Sequence, residues 1–200
     1  MIRRHTSRIT KRRQSGTSMV NANRAEISPM ITRRNVCMTG SAFIAGLATS
    51  GALAQPVIAP TGKIILTISG KVTAANQSGI IAFDREGLEA LGLVSFETMT
   101  PWYAAKVKFE GVPMAKLMQA VGAKGEKLSV SALNDYTTEI PMNDFDKYNV
   151  ILALKRVGQY LPVSDKGPLF IVYPFDSNPE LKNQKFFGRS AWQVAKMAVS

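Results

Sequence analysis

Apolar and polar residues alternate in several short segments of the chain after residue 60. Alternation with a period of two is typical of β-strands that bury one face. The most apolar of these segments, residues 168–173, is predicted to be the central strand of a sheet. Strands are predicted over residues 63–73, 94–99, 106–109, 127–133, 136–140, 150–154 and 168–173, with a final strand over residues 185–199.

Helix-start and helix-stop signals predict two short helices. Asp84 can cap a helix over residues 85–91, which Gly92 ends. Residues 111–113, Gly-Val-Pro, open a second helix with proline in its first turn, and Gly122 stops it. Its apolar residues share one helical face and are predicted to pack in the core: Met114, Leu117, Met118 and Val121.

Many short strands with few, short helices predict an α+β fold with a mixed β-sheet core. Residues 141–148 add a short helix or turn. A hydrophobic content of 46% over the 200 residues is enough for one globular domain with its own core.

Residues 132–141 are predicted to form a hairpin. Asn134 and Asp135 are turn formers because their short polar side chains bond to nearby backbone and tolerate left-handed backbone angles. Tyr136 follows the turn, where an aromatic ring with a polar tip can stand at the rim of a pocket. The alternative is that Asn134 and Asp135 only close the hairpin.

The first 54 residues have the pattern of a cleavable export signal. Residues 1–34 contain nine Lys or Arg and one acid, and an uncharged, weakly apolar run follows that ends in Ala-Leu-Ala. This pattern predicts cleavage before Gln55 and delivery to the periplasm. Arg33-Arg34 resembles a twin-arginine signal, with Met30 as an alternative start. A retained membrane anchor is the other reading, but the uncharged run is short and polar for one.

The charge and cysteine content of the remaining chain exclude several functions. Residues 35–200 carry sixteen Lys or Arg against thirteen Asp or Glu, so they show no basic surface for nucleic acid. Cys37 and His5 are the only cysteine and histidine, and both precede Gln55. A mature chain therefore has no disulfide, no Cys or His nucleophile and no zinc site built on these residues.

Four fragments in series resemble the molybdopterin-binding domain of sulfite-oxidase-type oxidoreductases. They are Phe-Glu-Gly-Val-Pro at 109–113, Ala-Leu-Asn-Asp-Tyr at 132–136, Leu-Pro at 161–162 followed by Gly-Pro-Leu at 167–169, and Arg-Ser-Ala-Trp at 189–192. Their order and spacing extend the resemblance over about residues 63–199. In that family, the segment like Arg189, Ser190 and Trp192 lies along the pterin, and the hairpin like residues 134–136 is near the same cavity.

The resemblance fails at the metal ligand. The family holds molybdenum through a cysteine on the strand before the helix, and here residues 94–100 offer Glu97, Thr98 and Thr100 without a thiol. A hydroxyl is a far weaker ligand than a thiolate for a soft metal. The chain is similar to a short, cysteine-free, exported branch, some members of which bind a reduced pterin and report it to a membrane signalling protein. We therefore expect a pterin pocket without molybdenum.

The residues supply what a pterin requires. This flat bicycle needs an aromatic platform, for which Trp192 or Trp102 would serve. Its guanidine-like edge calls for a carboxylate, with Asp135 the first choice and Glu97 or Asp176 next. Arg189 is available for a carbonyl or, in molybdopterin, a phosphate. The alternatives are that Trp192 belongs to the core and that Arg189 is a surface charge.

Three hypotheses follow from these residues. The first is an exported pterin-binding sensor or carrier without redox metal. The second is a molybdopterin-dependent oxidoreductase that lacks the cysteine ligand, and a twin-arginine-like signal favours it because that route exports folded, cofactor-loaded proteins. The third is an interaction module that has lost the ligand.

Overall fold

The computed structural model describes residues 59–74 and 79–200. The predicted signal segment, its twin arginine and the cleavage site before Gln55 lie outside these residues. The strands are β1 Leu66–Gly70, β2 Ile81–Phe83, β3 Val94–Thr100, β4 Tyr103–Pro113, β5 Lys127–Ala132, β6 Thr137–Pro141, β7 Ile151–Arg156, β8 Gln159–Tyr160, β9 Phe170–Val172 and β10 Val194–Val199. The α-helices are α1 Arg85–Ala90, α2 Met114–Ala120, α3 Asn143–Tyr148 and α4 Gln184–Arg189, and short 3₁₀ turns cover Val163–Asp165 and Pro179–Leu181.

Five strands form the first sheet, in the order β2-β1-β10-β5-β6. β1 and β10 run parallel, with Thr67 opposite Lys196, whereas the other pairs are antiparallel. The sheet is therefore mixed, and β10 is its central strand. Leu66, Ile68 and Met197 are buried on its inner face, as the alternation of apolar side chains in these strands requires.

A second, antiparallel sheet has the order β3-β4-β7-β8, and β9 also pairs with β7. The buried stripe of α2, including Met114 and Leu117, packs into a core shared with residues of both sheets. Together these elements form the α+β fold with a mixed sheet that the sequence predicts. No helix within the described ranges has the length and apolar character that crossing a membrane requires.

Helix α1 follows the capping signal in the sequence. The Asp84 carboxylate accepts a hydrogen bond from the backbone N–H of Gly87 at 2.8 Å, and Gly92 has φ +88° just after the helix. The same carboxylate accepts hydrogen bonds from the N–H groups of Gly62 and Thr61. Its pKa is lowered, above all by the bonds from Gly62 and Gly87, because these donors stabilise the ionised form.

The second helix begins later than predicted. β4 continues through residues 111–113, and α2 starts at Met114, so Pro113 precedes the helix and is not in its first turn. At Gly111 the backbone of β4 lies so close to β7 that a Cβ would be 2.1 Å from the carbonyl oxygen of Leu152. Pairing with β7 therefore keeps this segment extended.

Two predictions about the later strands are wrong. β9 is not central: β7 is the one strand that it pairs with among the described residues, and its other edge meets residues 191–194 through the isolated Phe170–Trp192 bridge. The predicted strand over residues 185–199 is a helix, α4, followed by the shorter strand β10. The Asn183 side chain caps α4 by accepting from the N–H groups of Lys185 and Phe186, a local signal that overrides the apolar pattern.

Candidate functional site

A cavity of about 310 Å³ opens where two hairpin tips meet α4 and the residues after it. The β3–β4 tip, the β5–β6 tip and the α4 segment each contribute to its wall. The lining residues are Pro101, Trp102, Asn134, Tyr136, Gln184, Phe187, Gly188, Ser190 and Trp192. We call this cavity the aromatic pocket.

Two tryptophans form a corner of the aromatic pocket. The rings of Trp102 and Trp192 are 5.4 Å apart at an interplanar angle of 76°, and Phe187 lies edge-on to Trp102 at 6.2 Å. Both tryptophans also meet the buried ring of Phe170 edge-on, at 5.4 and 6.3 Å. Edge-to-face pairs of this kind are favourable and hold the rings in place, so the corner is built before any ligand arrives.

The β3–β4 tip is fixed to the loop that precedes α4. Asp176 accepts a hydrogen bond from the backbone N–H of Met99 at 2.9 Å and pairs with Lys182 at 2.9 Å. The buried hydroxyl of Thr98 accepts from the N–H of Asp176 at 3.1 Å. The hydrogen bond from Lys182 and that from Met99 lower the pKa of Asp176 to about 2. We call this group of contacts the Asp176 clamp.

The β5–β6 tip is the turn predicted from the sequence. Asp135 has φ +64°, and the side-chain oxygen of Asn134 accepts from the N–H of Tyr136 at 3.2 Å. The Tyr136 hydroxyl donates to the carbonyl oxygen of Gly188 at 2.8 Å. Tyr136 therefore joins this hairpin to α4 across the rim of the pocket.

Helix α4 contributes the remaining wall. Phe186 is buried, and the Ser190 hydroxyl, also buried, donates to the carbonyl oxygen of Phe186 at 3.0 Å. Gly188 lines the pocket, where a Cβ would meet only the Tyr136 hydroxyl within 4 Å, at 3.8 Å. The absence of a side chain at Gly188 thus leaves space in the pocket.

Arg189 points away from the pocket lining. Its Nη1 atom lies 2.6 Å from the Asp144 carboxylate, and both side chains are largely buried. The Tyr173 hydroxyl donates to the same carboxylate oxygen at 2.8 Å. Burial, together with the Asp144 charge, raises the pKa of Tyr173. This buried group fastens the end of α4 to α3.

The structure brings together five of the nine residues proposed as ligand contacts. Those in the lining are Trp102, Asn134, Tyr136, Ser190 and Trp192, and those outside it are Asp135, Arg189, Thr98 and Thr100. Asp135 is exposed at the hairpin tip, and Thr98 belongs to the Asp176 clamp. Thr100 is buried, and its hydroxyl has no hydrogen-bond partner among the described residues. The roles of all nine residues in ligand binding stay predictions.

Sequence reasoning missed four residues of the lining: Pro101, Gln184, Phe187 and Gly188. Three of these belong to α4, where the sequence predicts the end of a loop at Gln184 and a strand from residue 185. Asn183 was the available signal, since asparagine is a preferred N-cap residue directly before a helix.

The donor set of the pocket fits a flat, uncharged ring. Its lining combines aromatic rings with two carboxamides and contains no charged side chain. Residues 59–74 and 79–200 contain no cysteine or histidine and no group of three or more acidic side chains that could hold a metal ion. The described residues therefore suit the pterin ring of molybdopterin, and they do not supply the thiolate that would hold its molybdenum. The lining also lacks a cation for its phosphate, because Arg189 is paired with Asp144.

The α+β fold presents a preformed aromatic pocket of the size and lining that small-molecule sites have. Residues 85–176 match the family model of the oxidoreductase molybdopterin binding domain. The matched segment contributes Pro101, Trp102, Asn134 and Tyr136 to the pocket lining. A search of curated proteins found no match to the chain.

The family match confirms the resemblance to the molybdopterin-binding domain family, and the resemblance to its cysteine-free, exported branch stays a prediction. The matched segment is of the molybdopterin-binding oxidoreductase type, and the ligand that this family implies is of the pterin type. The other five lining residues, from Gln184 to Trp192, lie beyond the matched segment. These five residues are therefore placed in the pocket by the structure and not by the family match.

Proposed function

We propose that this protein is an exported pterin-binding protein that acts as a sensor or carrier and holds no redox metal. The observation that carries the proposal is the aromatic pocket: a preformed corner of two tryptophans with an uncharged lining. A pterin that stacks on Trp192 or Trp102 gains about 0.5–1.5 kcal/mol beyond the burial of its area. Neutral amides at the edge of the same pocket can pair with the polar edge of the ring.

The chemistry of the donors supports binding without molybdenum. The strand that would present a thiolate, β3, offers the hydroxyls of Thr98 and Thr100, and neither residue lines the pocket. The Thr98 hydroxyl is already bonded to Met99 and Asp176. A protein that holds a pterin in this way detects or delivers the pterin and does not convert it into a product.

A sensor needs a surface through which occupancy of the pocket is communicated. Leu133 and Val163 are 55% and 51% exposed. Both residues are hydrogen-bonded to Gln193, which follows Trp192 in the chain. The N–H of Leu133 donates to the carbonyl oxygen of Gln193, and the Gln193 amide donates to that of Val163. A membrane-bound periplasmic sensor domain is the partner that we propose for the exposed Leu133 and Val163, and the signal-like residues 1–54 support delivery to that compartment.

Binding of a pterin to purified protein tests the proposed function. We expect Trp192→Ala to abolish binding of a reduced pterin, measured by calorimetry, and Trp192→Phe to weaken it less because an aromatic face remains. Thermal unfolding checks that each variant is folded. Tyr160→Ala, which removes an exposed ring outside the aromatic pocket, is the matched control and should bind like the unmodified protein. Absence of pterin binding by the unmodified protein would overturn the proposal.

A second candidate function is a molybdopterin-dependent oxidoreductase that lacks the cysteine ligand. The observation that favours it is the buried Thr100 hydroxyl, which has no partner within the described residues and lies on β3, where the family resemblance expects the metal ligand. If the hydroxyl is only structural, Thr100→Val should leave the free energy of unfolding unchanged or raise it, because removing an unpaired buried hydroxyl has no cost. A loss of bound molybdenum in Thr100→Val would instead support the oxidoreductase.

A further inference from the structure

The side chains of the aromatic pocket with unused hydrogen-bonding groups within the described residues are two carboxamides and the indole N–H groups of Trp102 and Trp192, and of these four only the carboxamides offer an acceptor as well as a donor. The amide of Gln184 has no hydrogen-bond partner within the described residues. Asn134 uses its oxygen to accept from Tyr136, and its amino group stays without a partner in the same part of the chain. The hydroxyls of Tyr136 and Ser190 both donate to backbone carbonyl oxygens.

The carboxylates near the pocket are outside the lining or already occupied. Asp135 is exposed and outside the lining. Asp176 is held by Lys182 and Met99, and Asp144 by Arg189 and Tyr173. A ligand in the pocket would therefore meet amides and not carboxylates.

An amide and a carboxylate recognise different hydrogen-bonding patterns on the edge of a heterocycle. The glutamine side chain presents one acceptor and one donor side by side, whereas a carboxylate presents two acceptors. The edge of a pterin carries a 2-amino group, an N3–H and a 4-oxo group. A carboxylate pairs with the two donors, the amino group and N3–H. An amide pairs equally well with N3–H and the neighbouring 4-oxo group.

We propose that Gln184 is a specificity-determining residue that reads the N3–H and 4-oxo edge of the ligand with its neutral amide, with Asn134 beside it. This inference rests on the proposed function, since it concerns the same pocket. It defines the ligand class as uncharged pteridines that carry the N3–H and 4-oxo pair. The Gln184 amide does not contact the substituent at position 2 and does not select for it.

Lumazine, in which a 2-oxo group replaces the 2-amino group of pterin, distinguishes the two modes of reading. An amide reader finds N3–H and a neighbouring oxo group in both rings. We expect the unmodified protein to bind the two rings with dissociation constants within about threefold of each other, by calorimetry at a pH where both rings are neutral. A carboxylate reader would place an oxygen against the 2-oxo group and should disfavour lumazine by about tenfold or more.

Gln184→Glu converts the amide into a carboxylate of nearly the same shape. The residue is exposed at the first position of α4, where an acidic side chain is favourable, so the variant should fold. We expect it to retain pterin, because the carboxylate accepts from the amino group and N3–H. Its affinity for lumazine should fall at least about tenfold relative to pterin. Gln119→Glu, the same change at an exposed position of α2, is the matched control and should leave the ratio unchanged.

The outcomes separate this inference from the proposed function. Similar affinity for both rings in the unmodified protein, with selection for pterin in Gln184→Glu, would support the inference. If both rings bind and Gln184→Glu does not alter their ratio, or if the unmodified protein already rejects lumazine, Gln184 is not the reader and the proposed function stands. Binding of neither ring would overturn both.

Discussion

At Gly188 the backbone of α4 borders the aromatic pocket without a side chain. The nearest atom to a Cβ built there is the Tyr136 hydroxyl at 3.8 Å, which is ordinary contact distance. Gly188→Ala should therefore raise the free energy of unfolding by about 0.5–1 kcal/mol, because alanine restricts the unfolded chain and suits a helix better.

Gly188→Leu should instead place a large side chain in the pocket, so pterin binding is lost while the protein stays folded. Calorimetry and urea unfolding measure the two effects. Retained affinity in Gly188→Leu would mean that the ligand does not occupy the aromatic pocket.

Arg189 and Asp144 form a buried pair whose role is structural in this fold. Arg189→Gln leaves the Asp144 carboxylate without its cation and should lower the free energy of unfolding by about 3–5 kcal/mol. Adding Asp144→Asn should restore part of this loss, since the double variant no longer buries an unpaired charge. Urea unfolding of the single and double variants provides the measurement. A stable Arg189→Gln protein that no longer binds pterin would instead make Arg189 a ligand contact, as the family resemblance implies.

At the scale of residues, the sequence predicts the chemistry of the pocket better than its geometry. Trp102 and Trp192 could be proposed because a flat ring requires an aromatic platform. Asp135 was proposed for its carboxylate. It adopts a left-handed backbone conformation at the hairpin tip, and its side chain does not line the pocket. Gln184 carries no motif, and its position in the pocket follows only from the orientation of α4.

At the scale of elements, the Asp176 clamp holds the β3–β4 tip against the loop before α4. The folded protein lowers the pKa of Asp176 from its ordinary 3.8 to about 2. A carboxyl whose pKa is lower in the folded than in the unfolded chain stabilises the fold above its unfolded pKa. This contribution is lost as the pH falls from about 5 to about 2.

Asp176→Asn should therefore make the free energy of unfolding less dependent on pH across this range, as measured by urea unfolding at a series of pH values. Part of the dependence should remain, because the pKa of Asp84 is lowered too. An unchanged pH dependence in Asp176→Asn would show that the ionised carboxylate of Asp176 does not stabilise the fold.

Local signals predict elements well where one residue decides the conformation. Asp84 caps α1, and Asp135 adopts the left-handed turn, both as expected. The errors concern tertiary placement. The hydrophobicity of residues 168–173 correctly predicts that β9 is buried. It does not predict the order of the strands, because a strand can be buried without lying at the centre of its sheet. The central strand of the first sheet is β10.

At the scale of the whole molecule, the family model and the pocket cover different parts of the chain. The match ends at residue 176, before α4 and Trp192. The α+β class could be predicted because the spacing of short strands persists along the chain. The identity of the ligand could not, because five of the nine lining residues lie beyond the matched segment.

The proposed export is tested with the complete chain. If Arg33-Arg34 directs twin-arginine transport, changing both residues to Lys should leave the precursor in the cytoplasm, because this route requires the arginine pair. Cell fractionation followed by N-terminal sequencing locates the product. A mature form that starts at Gln55 and is delivered in unchanged amounts by the Lys variant would show that another route exports the protein.

The most direct test of a metal-free pterin protein is the ligand content of the protein isolated from its own host. Metal analysis and fluorescence of the extracted pterin are measured on the same sample, with the protein concentration as the reference. The neutral lining and the lack of a thiolate predict an equimolar fluorescent pterin without stoichiometric molybdenum. An equimolar amount of molybdenum would contradict the proposed function.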